Sequence, residues 1–199
     1  MNTVVGMPYS ILDRMERAVM KVRERLLRST SALNRAGIPY AVVGGNAVAS
    51  WVATVDEGAV RNTRDVDLLV RREDLPSITA ALESVGFIPA QVMDVVMFLD
   101  GPNAKPSEAI HLLFVGEKVK AEYPLASPEL RTVNDPADYQ VIELEDLVTM
   151  KLMSHRDKDK THIRDLIDQN LIDYAWLPRL HPLLAERLKA ILDNPESTH

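Results

Sequence analysis

Residues 63–70 read TRDVDLLV, and this stretch limits the possible folds most. Asp65 and Asp67 alternate with Val66 and Leu68, and Leu68, Leu69 and Val70 run on as a continuous apolar segment. Strand side chains repeat every two residues, so both carboxylates leave one face, their Cα atoms about 7 Å apart. A solvated edge strand would tolerate such a face, but the apolar continuation suits an inner strand. Two acids at one end of a buried strand are costly unless something pairs with them. One divalent cation could do so, and magnesium needs only one or two protein carboxylates besides phosphate and water.

Upstream, residues 42–45 form a short apolar run ending in Gly44 and Gly45, and residues 46–53 read as a short helix. Glycine lets the backbone turn tightly and lets a ligand approach its N–H groups. A helix starting there turns its unpaired N–H groups toward the same point, which suits an anion. Taken alone, Gly-Gly is a plain tight turn. It matches neither the dinucleotide fingerprint nor the P-loop.

The rest of the chain supplies a frame. Residues 11–36 carry Ile11, Leu12, Met15, Val19, Val22, Leu26 and Leu33 at helical spacing, and Gly37 stands in the usual terminating position. Residues 54–62 read as a polar loop. Residues 72–86 predict an amphipathic helix with Asp74 as N-cap, Pro76 in its first turn and Gly86 as terminator. Residues 94–100 and 108–116 flank a polar turn and read as a hairpin. The proline-bearing segment 120–139 reads as irregular, residues 140–144 as a last strand. Residues 143–170 and 178–193 read as helices, with Pro178 and Pro182 near the start of the second.

Strands alternating with helices predict an α/β (α+β) class: a mixed β-sheet flanked by helices, with further helices at the C-terminal end. A length of 199 residues suits one folded unit, divided as a core over 1–120 and a connection with helical part over 121–199 packed onto it. The absence of cysteine excludes disulfides and thiolate metal sites and fits a reducing cytoplasmic setting. No apolar run approaches the ~20 residues of a membrane span. The first ten residues lack the basic start and apolar region of a secretory leader, so none is expected. A net charge of −6 means that any contact with nucleic acid requires a local basic patch.

Val43-Gly44-Gly45 followed by Asp65-Val66-Asp67, with 19 residues between the second glycine and the first aspartate, resembles the nucleotidyltransferase superfamily with the polymerase-β-type fold. Residues 61–70 look most like its minimal bacterial members, the AbiEii-type toxins and the aminoglycoside nucleotidyltransferases. The resemblance implies a nucleotidyltransferase-like core and transfer of a nucleoside monophosphate from an NTP to an RNA or a small hydroxylated acceptor. It implies that Gly44 and Gly45 hold the triphosphate and that Asp65 and Asp67 hold Mg²⁺, two ions with the NTP bound. A protein partner, as in a toxin–antitoxin pair, is a further expectation.

That family supplies a third carboxylate from a neighbouring strand, and here the matching position reads His111. A neutral imidazole can accept a proton or ligate a metal, though magnesium prefers oxygen. Asp100, Glu108 and Glu117 are acids at nearby strand ends that could substitute, and a half-buried structural histidine is the plain alternative. If residues 143–170 form one continuous helix, Lys151, His155, Lys158, His162 and Asp165 share a stripe. A solvated charged face is the ordinary fate of such a run. The functional reading makes it a cleft wall with Lys151 reaching the triphosphate, and residues 164–168 (RDLID) resemble a segment of the AbiEii-type proteins. Zinc on His155, Asp159 and His162 is a weaker rival. The departure at His111 also leaves open a module that binds nucleotide without turnover.

Overall fold

A computed structural model describes residues 10–194. Most of the N-terminal stretch read for a leader therefore lies outside the described residues. The first helix, α1 (Ile11–Ala36), opens on a capping box between Ser10 and Asp13 and closes at Gly37 with φ +65°. The chain then enters β1 (Ala41–Val43), passes directly into α2 (Gly44–Ala53) and, after a polar loop with one 3₁₀ turn, forms β2 (Val66–Val70). Both glycines belong to the first turn of α2, not to a loop before it.

Helix α3 (Leu75–Glu83) is preceded by a 3₁₀ turn at Arg72–Asp74. Asp74 itself is already helical there (φ −83°, ψ −4°) and its side chain caps nothing, contrary to the expected N-cap. Strands β3 (Ile88–Val92), β4 (Val95–Leu99) and β5 (Ile110–Phe114) follow, then β6 (Thr132–Asp135) and β7 (Tyr139–Ile142). The hairpin of β4 with β5 is as expected. Strands β3 and β6 are not visible in the sequence pattern, and β6 corrects the reading of 120–139 as wholly irregular. Both are sheet edges without a buried residue, so neither carries the alternation that marks a half-buried strand.

The seven strands form one mixed sheet in the order β3-β4-β5-β2-β1-β7-β6. Strands β2 and β5 pair in parallel, as do β1 and β7, and the other neighbours are antiparallel. The sheet thus draws strands from both sides of residue 120. Helices α1 and α3 pack on each other, and α2, α4 (Leu144–Ser154), α5 (Asp157–Asp168) and α6 (Pro182–Leu192) form a second group. The core is continuous from Leu33 through Val42, Leu68, Leu69 and Ile110 to Leu147, Leu152 and Leu188.

Two helical expectations need correction. Residues 143–170 are two helices, because His155 takes the left-handed conformation (φ 47°, ψ 28°) and ends α4. The break lets Asp159, wholly buried on α5, meet Lys151 and Ser154 on α4. The C-terminal helix starts at Pro182, whereas Pro178 lies in a preceding 3₁₀ helix (Tyr174–Arg179). Among the described residues, no helix is long and apolar enough to cross a membrane.

Candidate active site

The antiparallel register of β1 with β2 sets Val43 opposite Asp67, so the chain enters α2 beside the Asp-x-Asp strand. Gly44 has φ +69°, and a Cβ there would stand 2.0 Å from Asp67 Oδ2. At Gly45 a Cβ would stand 2.8 Å from Thr63 Oγ1. The glycine requirement therefore arises inside the protein. A side chain at either position would displace the strand's polar groups before any phosphate arrived.

Asp65 directly precedes β2, and Thr63 donates to its Oδ1 at 2.9 Å. The buried Asn46 of α2 donates to the Asp65 carbonyl at 2.8 Å, tying helix to strand. Burial pushes the Asp65 carboxyl up, but the Thr63 hydrogen bond, its own backbone N–H and the charges of Lys158 and His111 outweigh it, so the group lies below its ordinary value.

The parallel register of β2 with β5 sets His111 beside Asp67. Its Nδ1 lies 3.5 Å from Asp67 Oδ1 and its Nε2 3.1 Å from the Pro106 carbonyl. Both ring nitrogens face acceptors, an arrangement that suits the imidazolium with an N–H toward each; in the neutral ring a proton on Nε2 leaves the Nδ1 lone pair on the Asp67 side. The Asp67 carboxylate favours the imidazolium and raises the His111 pKa against the effect of burial. Ligand atoms of Asp65, Asp67 and His111 all lie within 4.8 Å of one another, and this is the one group among the described residues that could hold a metal ion. Three groups converging from two strands, two of them carboxylates, fit a divalent cation.

The other acids near these strands are committed elsewhere or do not join the cluster. Asp100 pairs with Arg25 and Arg28, Glu117 with Arg72, and Glu108 is exposed.

A cleft of about 790 Å³ opens over the cluster, with α4 and α5 as its second wall. Lys151 lines it, as the cleft-wall reading expects, and the alternative of a solvated charged stripe does not form. The Lys151 side chain is 7 % exposed, its Nζ 3.3 Å from Asp159 Oδ1. Ser154 Oγ and Arg156 Nε each donate to Asp159 Oδ2 at 2.7 Å. Burial lowers the Lys151 pKa despite Asp159. Burial also opposes ionisation of Asp159, but Arg156, Lys151 and Ser154 hold that carboxyl down at about 2. His162 is pushed down to about 4, by burial first and then by Lys151. Asp165 leaves the stripe to pair with Arg61 at 2.8 Å. With both Asp159 oxygens engaged, the zinc reading on His155, Asp159 and His162 has no free carboxylate. Asp159 anchors this wall as a structural centre, and only the Arg156–Asp159 (i, i+3) spacing hints at it in the sequence, because Lys151 and Ser154 reach it across the break.

No protein-family model and no curated protein matches the chain. Solved structures do. The solution structure of the antibiotic-resistance factor ANT(2″)-Ia aligns with TM-score 0.55 and 17 % identity over 87 % of this chain and 91 % of that one. The crystal structure of ANT(2″)-Ia with adenylyl-2″-tobramycin aligns with TM-score 0.53 and 16 % identity over 89 % and 99 %. The chain has the fold of ANT(2″)-Ia. Within this fold, the Gly-Gly turn and the Asp-x-Asp strand meet in the lining of the cleft.

Proposed function

We propose that the chain transfers a nucleoside monophosphate from an NTP to a hydroxyl-bearing acceptor, with Mg²⁺ as cofactor. The observation that carries this reading is the convergence of Asp65, Asp67 and His111 at the first turn of α2, in a nucleotidyltransferase fold. Asp65 and Asp67 would hold the metal, which when bound polarises the α-phosphate and eases ionisation of the attacking hydroxyl. The first turn of α2 offers backbone N–H groups and the positive end of its dipole to the triphosphate. Lys151 is held by Asp159, so its part is a fixed positive potential behind Asp67 more than a free phosphate clamp.

His111 takes the position of the third acid. In the neutral ring with its proton on Nε2, facing the Pro106 carbonyl, Nδ1 would be left to ligate or to receive the acceptor's proton. The carboxylate beside it also favours the imidazolium, which can do neither. That contact supports the second reading, a nucleotide-binding module with little turnover.

Single-turnover transfer from α-labelled NTP, measured beside calorimetric NTP–Mg²⁺ binding, tests both. Asp65→Asn and Asp67→Asn should each lower transfer on the order of 10²–10³-fold, the several kcal/mol that metal stabilisation supplies. His111→Ala should slow transfer but keep NTP–Mg²⁺ affinity, and His111→Asp should keep or raise the rate because it restores an oxygen ligand. Full transfer by both Asp65→Asn and Asp67→Asn would sink the metal assignment. Turnover appearing only in His111→Asp would establish the binding module.

A further inference from the structure

The cleft has two ends. At one end lie Asp65, Asp67 and the first turn of α2, with Lys158 close enough to lower the Asp65 pKa. Strand β5 leads away from His111 to Phe114, a run of about 10 Å, and the chain then lines the other end with Glu117, Lys118 and Lys120. There Arg72 and Glu117 neutralise each other. Among the described residues Lys118 and Lys158 form no ion pair, and Lys120 reaches only Glu122, at 3.9 Å. Asp94, on the turn between β3 and β4, is the single unpaired acid at the far end. On a chain of net charge −6, this positive cleft focuses an attractive field for anions. With the triphosphate assigned to α2 and Lys158, Lys118 and Lys120 on the segment after β5 are left for another anion.

We infer that the acceptor is itself an anion: a hydroxyl compound bearing phosphate, whose phosphate group is received by Lys118 and Lys120. This rests on the nucleotidyl-transfer reading and narrows it. A polycationic acceptor of the aminoglycoside kind would meet Lys118 and Lys120, the latter only loosely offset by Glu122, with Asp94 as the one unpaired carboxylate, where it needs several.

The test uses the full chain with Mg²⁺ and a non-hydrolysable NTP. Fluorescence anisotropy follows a labelled oligoribonucleotide and a labelled aminoglycoside on the wild type and on Lys118→Glu/Lys120→Glu. The oligoribonucleotide should bind, weaken as salt rises from about 50 to 200 mM, and lose roughly tenfold or more in the double variant. NTP affinity by calorimetry should stay within about twofold, since the triphosphate is assigned to α2 and Lys158. Displacement by a small sugar phosphate would identify a compact acceptor, and resistance to it a nucleic-acid one. The inference is overturned if the aminoglycoside binds more tightly, or if charge reversal leaves oligoribonucleotide binding unchanged. Label transfer to an aminoglycoside but to no phosphate-bearing acceptor would also overturn it and spare the transfer reading. Anion binding through both lysines without transfer to any acceptor would sink that reading instead.

Discussion

Gly44 shows how narrowly the site is drawn at the scale of one residue. Its φ of +69° is left-handed, and the Asp67 carboxylate occupies the place of a Cβ. Gly37 has almost the same conformation, φ +65°, with nothing within 4 Å of a Cβ. Both Gly→Ala changes should therefore cost about 1–2 kcal/mol of backbone strain. Only Gly44→Ala should also move Asp67, and it should weaken Mg²⁺ or Mn²⁺ binding to the NTP complex by about tenfold or more, since ligand placement governs affinity. Melting curves and metal titrations of the two variants would separate strain from displacement. Equal metal affinity in both would mean that Asp67 does not hold the ion.

At the scale of elements, the α4–α5 corner depends on one acid. Asp159→Ala would leave the buried Lys151 without its carboxylate and should cost about 3–5 kcal/mol. Adding Lys151→Met should recover part of that loss, because the uncompensated charge goes with it. A loss below about 1 kcal/mol in the single variant would show that the pair does not form. The corner also sets a pH dependence. His162 has its pKa lowered to about 4 by burial and by Lys151, with Lys158 and Arg61 adding to the effect and Asp159 opposing it. In the unfolded chain it binds a proton nearer pH 6.5, so the unfolded state takes up more protons between the two values. The stability it contributes is complete above pH 6.5 and falls as pH drops toward 4. Asp159, held at about 2, loses its own contribution lower down, between about 4 and 2. In His162→Gln the decline in Tm between pH 6.5 and 4 should be shallower than in the wild type. Identical slopes would place His162 in contact with solvent.

At the scale of the whole molecule, α1 does two things along its ~39 Å length. Its C-terminal half buries Leu26 and Leu33 in the core, while Ile11, Leu12 and Met15 of the first turns stay more than half exposed. Leu33→Ala should cost about 2–5 kcal/mol, and Leu12→Ala should stay within about 0.5 kcal/mol. Chemical denaturation of both variants checks this. A large loss at Leu12 would mean that the outer half of α1 packs against something in solution.

The sequence by itself determined the local chemistry. Gly44-Gly45 and Asp65-x-Asp67 are short-range patterns whose meaning lies in backbone freedom and in the two-residue period of a strand, so each was legible before any fold. The helix of residues 11–36 was equally plain, from its apolar spacing and its terminal glycine. Pairing across the sheet was left to the tertiary structure. The sequence nominated His111 for the third position, and the register of β2 with β5 decided that it stands beside Asp67 while Asp100 and Glu117 are drawn off by arginines. The charged run after Lys151 read as one stripe on a continuous helix because a helical wheel carries no information about a break. Burial of Asp159 made that break, since a carboxylate removed from water must gather Lys151, Ser154 and Arg156, and one straight helix cannot bring them together.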